Sequence, residues 1–206
     1  MDDLGIYRYC DAVIRNYHSE LLAGFSKVLT IPLGYKAGFA RDNVAAKPAA
    51  ARQHLWSFAG DAKKLTRSAM LEAMTPLGNG VHHLTAGFGS ADALPTAAYR
   101  DLLDETVVVP CPGGWSNLDT FRCYEALEAG CIPIVERRPA FDYYDALVGP
   151  HPFPAIANWS EGAALVRRWD ADGSLEQRRA DCERWWAAYK AKLKGEIAAF
   201  VGKALR

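Results

Sequence analysis

The feature that most constrains the fold is a strand-turn-helix-strand pattern over residues 106–135, TVVVPCPGGWSNLDTFRCYEALEAGCIPIV. A β-branched run at 106–109 meets two prolines and then Gly113-Gly114, which predicts a buried strand that ends in a sharp turn. A helix is predicted from Thr120 to Ala129, and a short apolar strand over residues 131–135. A βαβ unit of about thirty residues has parallel strands and a right-handed crossover.

This unit places a candidate anion site at the carboxyl end of the predicted sheet, where open α/β folds bind ligands. The Gly113-Gly114 turn leads into a helix start, whose unpaired N–H groups and positive dipole end suit an anion. Ser116, or Asp119 itself, is expected to cap the first turn of that helix. A Gly-Gly turn alone is a weak signal.

The same helix carries a polar stripe of Arg122, Glu125 and Glu128 at three-residue spacing on one face. From spacing alone, a solvated face with one Arg/Glu pair is the simpler interpretation, and a ligand-binding face is the alternative. A similar choice applies to Glu136, which is either a surface carboxylate beside two arginines or a group that reaches a ligand.

A second basic cluster lies earlier in the chain, where a strand over residues 54–59 stops at Gly60. Lys63, Lys64 and Arg67 crowd the start of a helix predicted over residues 67–74. Cations there oppose the helix dipole by roughly 0.3 to 1 kcal/mol each, so they suit a site that binds an anion. The alternative is that their long side chains point to water.

The strand candidates near residues 28, 55, 82, 107 and 132 alternate with helices. This alternation predicts an α/β fold, a Rossmann-like parallel sheet with helices on both faces. Residues 151–158 hold two prolines and are expected to form a loop or a brief edge strand. The dinucleotide fingerprint G-x-G-x-x-G and the phosphate loop G-x-x-x-x-G-K-[ST] are both absent from the sequence, which disfavours a dehydrogenase and a P-loop enzyme.

Composition limits the remaining classes of protein to which the chain can belong. The 206 residues allow one substantial domain, and the 24 basic and 24 acidic residues balance to zero net charge, so nucleic acid is a poor partner. The five cysteines form no C-x-x-C pair, which favours reduced thiols and no zinc site. With no apolar leader and no long apolar run, we expect a cytoplasmic protein that is at most peripheral to a membrane.

The segment PCPGGWSNLDTFRCYEALEAGCIPIV resembles the donor-binding segment of exostosin-like glycosyltransferases, glycosyltransferase family 47 and its bacterial relatives. That family has a proline-glycine loop, a D-T-x-R-x-x-E-A-L helix and a G-x-I-P-I-V strand in this order. The matching positions are Gly113, Asp119, Arg122, Glu125, Gly130 and Pro133. The resemblance implies the carboxyl-terminal, donor-binding half of a GT-B fold. It also implies that Glu125 binds the ribose hydroxyls and that the loop and Arg122 lie near a diphosphate.

Two further segments resemble the same family. SFAGDAKKLTRSAMLEAM is similar to its F-x-G…R-x-x-L segment, which implies that Arg67 binds the diphosphate, with Gly60 beside it and Lys63 or Lys64 as a second ligand. VIRNYHSE…VLTIPLGYKAGF resembles the piece that joins the acceptor half to the donor half. Residues 1–36 are therefore interpreted as an amino-terminal segment or acceptor-side remnant, and 37–206 as the nucleotide-sugar-binding domain. His18 is either a loop residue or an acceptor-side base.

The sequence therefore predicts a hexosyl- or pentosyltransferase that moves a sugar from a nucleotide-sugar donor to a glycan or other acceptor, without a metal or other cofactor. Arg67, Arg122 and Glu125 are the predicted catalytic residues. Gly113, Gly114, Asp119, Gly60 and Lys63 complete the predicted donor site. The alternative is a non-catalytic nucleotide-sugar-binding module that needs a partner chain or domain, and a third interpretation is a piece of a larger enzyme.

Overall fold

The chain folds around one five-stranded parallel sheet. The computed structural model describes residues 4–205 apart from 23, 41–44, 88, 115–116 and 140. In chain order the described strands and α-helices are β1 (Val13–Arg15), β2 (Val28–Thr30), β3 (His54–Gly60), α1 (Arg67–Met74), β4 (Gly80–Leu84), α2 (Thr96–Asp104), β5 (Thr106–Cys111), α3 (Phe121–Glu128), β6 (Ile132–Glu136), α4 (Tyr143–Val148), β7 (Ala155–Ile156), α5 (Trp159–Ala171) and α6 (Leu175–Ala204).

The strand order in the sheet is β4-β3-β5-β6-β7, and every neighbouring pair is parallel. Helices flank the sheet, so the predicted α/β, Rossmann-like fold class is confirmed. The chain leaves β3 for β4 on one side and then crosses to β5 on the other, so the direction of winding reverses between β3 and β5. Ligands of such sheets bind in the crevice outside the strand ends at this switch point.

The central strands are buried on both faces, as their unbroken apolar sequences require. All six residues of β5 are buried, and so are four of the five in β6. β5 continues through Pro110 to Cys111, two residues beyond the predicted end. The pairing with β3 ends at Val108, so the missing N–H of Pro110 costs no ladder hydrogen bond on that side, while β6 still pairs with Pro110 and Cys111.

One predicted member of the sheet is wrong. The strand near residue 28 is β2, which pairs with β1 in a separate two-stranded parallel sheet. All three residues of β2 are only half-buried, so it is unsuited to the interior of a two-faced sheet. The fifth place is taken by β7, the brief edge strand expected from the proline-rich stretch, which pairs with the end of β6.

The end of the sheet opposite the switch point is closed by Arg52, which is 7% exposed. Its Nη1 donates to the carbonyl oxygens of Leu103 at 3.1 Å and Thr106 at 2.5 Å, and its Nη2 donates to that of Ala129 at 3.0 Å. Leu103 and Ala129 lie at the carboxyl ends of α2 and α3. The buried cation is thus stabilised by two helix dipoles.

α6 closes the fold along α3. Its buried residues, Cys182, Trp186 and Tyr189 among them, lie in its first half. Nε1 of Trp186 and Nζ of Lys190 each donate to Glu128 of α3 at 2.7 Å. Among the described helices none is both long enough and apolar enough to cross a membrane.

Candidate functional site

The candidate site lies at the switch point, where β3, β5 and β6 end side by side. Gly60 is the last residue of β3, Gly113 follows β5 after Pro112, and Glu136 is the last residue of β6. α1 and α3 begin at this edge and supply Arg67 and Arg122.

Two arginines from different helices meet over Gly60, and we call them the arginine pair. Cζ of Arg122 lies 4.5 Å from the centroid of the Phe58 ring, and its Nη2 donates to the Ala59 carbonyl at 2.6 Å. Nη1 of Arg67 donates to the carbonyl oxygen of Asp61 at 2.9 Å. A Cβ atom on Gly60 would lie 2.8 Å from Nη2 of Arg122 and 3.8 Å from Nη1 of Arg67. The first distance is too short for a side chain at this position unless Arg122 moves, whereas the distance to Arg67 is an ordinary contact, and the φ of +146° at Gly60 also favours glycine.

The arginine pair carries positive charge that the protein neutralises incompletely. Arg67 is 8% exposed, and its pKa is lowered to about 10, first by burial and then by the charge of Arg122, against smaller raising effects of Asp61 and Glu136. The Nε atoms of Arg67 and Arg122 are buried with no hydrogen-bond partner in the part of the chain that the structure describes. Two cations held together at an energetic cost are typical of a site that binds an anion.

The glycine turn lies beside the arginine pair, and its N–H groups already have partners. The Gly113 N–H donates to Oε2 of Glu136 at 2.9 Å, and the Gly114 N–H donates to the carbonyl oxygen of Asn117 at 2.8 Å. Oε1 of Glu136 accepts a hydrogen bond from Nε1 of Trp159 at 2.8 Å. A phosphate could therefore approach these glycines only by displacing protein acceptors.

A cleft of about 300 Å³ opens in front of this turn. We call it the Gly113 cleft, and its wall combines the turn, the amino-terminal end of α1 and the segment after β6. The lining residues are Leu65, Thr66, Gly113, Gly114, Asn117, Leu118, Glu136, Arg137, Arg138, Pro139 and Ala157.

Asp119 does not cap α3 as predicted. Helix α3 begins at Phe121 with Thr120 in the capping position, and no side chain caps it. The carboxylate of Asp119 accepts instead from the backbone N–H of Leu33 at 3.1 Å and from the Tyr124 hydroxyl at 2.5 Å. Burial raises the pKa of Asp119 to about 6. Asp119 thus fastens the segment after β2 to α3, and Ser116, the other predicted cap, lies outside the described residues.

Glu125 is buried beside the segment that contains Lys36. It is 7% exposed, and the backbone of Lys36 and the side chain of Tyr99 are its polar neighbours beside Arg122. Burial raises the pKa of Glu125, and Arg122, one helical turn away, opposes that rise. The structure brings Arg67, Arg122, Gly60 and Gly113 to one edge of the sheet, while Glu125 does not line the Gly113 cleft.

Lys63 takes part in the turn before α1 through its backbone. Lys63 is exposed, and its backbone N–H donates to Oδ1 of Asp61 at 2.8 Å, which shapes the turn between Gly60 and α1. Thr66 occupies the capping position of α1 without a side-chain capping bond and lines the Gly113 cleft.

The hydrogen bonds from Gly113 and Trp159 to Glu136 were not predicted from the sequence. The signal available was position, because Glu136 ends a buried strand next to the switch point, where ligand-contacting residues collect. Among the described residues no group of three or more His, Cys, Asp or Glu side chains is arranged to hold a metal ion.

A scan against protein-family models finds none that matches this chain, and a search of curated proteins finds no match. The relation to exostosin-like glycosyltransferases is therefore a resemblance carried by the motifs quoted above.

Proposed function

We propose that the chain binds a nucleotide sugar at the switch point and transfers its sugar, a hexose or a pentose, to a glycan or other acceptor. The observation that carries the proposal is the arginine pair. Two guanidinium groups converge over Gly60, with the pKa of Arg67 lowered to about 10 by burial and by Arg122. A diphosphate carries the charge that this pair lacks, and arginine binds phosphate oxygens through paired N–H groups.

In this proposal the arginine pair binds the diphosphate and stabilises the negative charge that develops on it as the sugar leaves. Stabilisation by fixed cations needs no reorganisation during the reaction, since Phe58 and the carbonyl oxygens of Ala59 and Asp61 already hold both guanidinium groups. The motif resemblance supports the same assignment, because it implies a diphosphate near Arg67 and Arg122.

Recognition of the ribose by Glu125, as the resemblance implies, requires a local rearrangement. Its buried carboxylate must turn from its polar neighbours, the Lys36 backbone and the Tyr99 side chain, toward the ribose hydroxyls. The loop that supplies Lys36 has glycines in left-handed conformations on both sides, Gly34 with φ +70° and Gly38 with φ +80°, which allow backbone movement. The variant Glu125→Gln should weaken nucleotide binding if this rearrangement occurs.

A second function is favoured by a specific observation. Among the described residues, Glu136 is the one carboxylate that lines the Gly113 cleft, and both of its oxygens are engaged, by Gly113 and Trp159. The described residues of the cleft include no second carboxylate that could act as a base for the acceptor while Glu136 is held in place by the protein. A binding module that transfers sugar only together with a partner chain fits this arrangement.

Titration calorimetry with UDP, GDP, ADP and dTDP tests the proposal. We expect one of them to bind the wild-type chain and to lose at least tenfold in affinity in Arg67→Met and in Arg122→Met. Arg167→Met, an exposed site on α5, is the matched control and should bind as the wild type does. Absence of binding to the wild type would refute the proposal. Sugar transfer or hydrolysis by the purified chain would then separate the enzyme from the binding module.

A further inference from the structure

The Gly113 cleft has a carboxylate, Glu136, at the place where the sequence predicts an anion site. Glu136 accepts from the Gly113 N–H at 2.9 Å and from Nε1 of Trp159 at 2.8 Å. A phosphate at the turn would have to displace this carboxylate and would meet its negative charge. The arginine pair lies next to the cleft, because Thr66, which precedes Arg67, is part of the cleft wall.

We propose that Glu136 determines where the two ends of the donor bind. Its negative charge excludes the diphosphate from the Gly113 cleft, so the diphosphate binds to the arginine pair, and its carboxylate binds hydroxyl groups of the sugar in the cleft. This inference rests on the proposed function and assigns a specificity-determining residue to it. Glu136 therefore contacts the sugar directly, whereas Trp159 is a positioning residue that acts through its hydrogen bond to Glu136.

The number of acceptor positions on Glu136 supports this assignment. An ionised carboxylate has about four lone-pair sites. One donor from the protein engages each oxygen, so each oxygen keeps one further position for a ligand hydroxyl. The two fixed protein bonds also hold the carboxylate in one orientation. Such a group suits two neighbouring hydroxyls on one ring.

The size and wall of the cleft agree with a small polyhydroxyl ligand. About 300 Å³ is at the lower end of the range of small-molecule pockets, so the cleft takes a single ring rather than a whole nucleotide. Gly113, Gly114, Thr66 and Asn117 also line the cleft, so its wall is partly polar. Arg137 and Arg138 are exposed at its rim.

The variant Glu136→Gln tests the inference by titration calorimetry with the nucleoside diphosphate that binds the wild type and with its glucose, galactose and xylose conjugates. The amide nitrogen of glutamine cannot accept a hydrogen bond, so at one of the two positions the side chain can accept neither from its protein donor nor from a sugar hydroxyl. We expect the Kd of the preferred conjugate to rise about tenfold or more, and the Kd of the free diphosphate to stay within about twofold. Trp159→Phe should weaken binding of the conjugate less than Glu136→Gln does. The control Glu72→Gln, at an exposed site on α1, should change neither Kd.

Two outcomes overturn the inference alone. In the first, Glu136→Gln weakens binding of the free diphosphate as much as binding of the conjugate, which would mean that Glu136 supports the diphosphate site. In the second, the variant changes neither Kd. If no nucleoside diphosphate binds the wild-type chain, the proposed function fails and this inference fails with it. If Glu136→Gln binds the conjugate more weakly than the wild type does but binds the free diphosphate equally well, the result supports both the inference and the proposed function.

Discussion

Replacing Arg67 with methionine should remove ligand binding while leaving the stability of the fold nearly unchanged. Arg67 is 8% exposed, and removal of a buried paired charge ordinarily costs about 3–5 kcal/mol. Arg67 differs because its main charged neighbour is another cation, Arg122, and burial disfavours its charge as well. Methionine fills similar space and carries no charge.

The size of the expected stability change follows from the pKa of Arg67. A fall from 12.5 to about 10 at about 1.4 kcal/mol per pKa unit corresponds to about 3 kcal/mol against the charged form of Arg67 in the folded protein. Methionine removes that cost. It also removes the charged hydrogen bond to the Asp61 carbonyl, worth about 1.5–3 kcal/mol, and the contact with the Phe58 ring, worth about 0.5–1 kcal/mol. The free energy of unfolding should therefore change by about 1 kcal/mol or less.

Urea denaturation and ligand titration of the same preparations test this prediction. Arg179→Met is the matched control: Arg179 is 6% exposed, like Arg67, but it pairs with Glu176 at 2.7 Å and Glu183 at 2.9 Å, so its pKa is raised. Since both glutamates are partly exposed, this variant should lose only about 1–2 kcal/mol, and it should keep its ligand affinity. A loss above about 2 kcal/mol in Arg67→Met, or unchanged ligand affinity, would refute the argument.

Three other perturbations have defined outcomes. Arg52→Met removes the guanidinium donors from the carbonyl oxygens of Leu103, Thr106 and Ala129 and should lower the free energy of unfolding by about 3 kcal/mol or more in urea, with Arg52→Lys less affected; equal stability of the two variants would contradict this. The folded pKa of Asp119, about 6, lies above its ordinary 3.8, so its contribution to stability is complete below about pH 4 and is lost as the pH rises through 6. Asp119→Asn keeps an acceptor for the Leu33 N–H, and its stability relative to the wild type should rise by up to about 3 kcal/mol from pH 4 to 7 in urea titrations; a pH-independent difference would contradict the assignment. Because the arginine pair is proposed to stabilise the leaving diphosphate, excess EDTA should leave nucleotide binding unchanged by calorimetry, and a loss that Mg²⁺ restores would show that a metal ion takes part.

Local patterns in the sequence predicted the elements well. The bounds of α1, Arg67–Met74, agree with the prediction because a basic turn precedes one uninterrupted helical pattern. The unit from β5 to β6 follows from a β-branched run, a glycine turn and a glycine stop, which are all short-range signals. The arrangement of the arginine pair is a consequence of topology, since α1 and α3 both begin at the edge of the sheet where the winding reverses.

Pairings between distant residues were beyond the sequence patterns. Asp119 has the position of a helix cap, but the Leu33 backbone, 86 residues away, takes its carboxylate. Glu136 and Gly113 are 23 residues apart and meet only because β5 and β6 are neighbours. β2 has the composition of a strand, and nothing in its sequence tells which sheet it joins. Tertiary contacts decide these cases, and no local propensity encodes them.

The central claim is that the arginine pair binds a diphosphate at the switch point, and a crystal structure of the chain with its tightest nucleoside diphosphate tests it most directly. The account predicts phosphate oxygens within hydrogen-bond distance of the guanidinium groups of Arg67 and Arg122, with Glu136 still bonded to Gly113. A diphosphate bound elsewhere on the chain, with both arginines bonded as they are in the free protein, would contradict it.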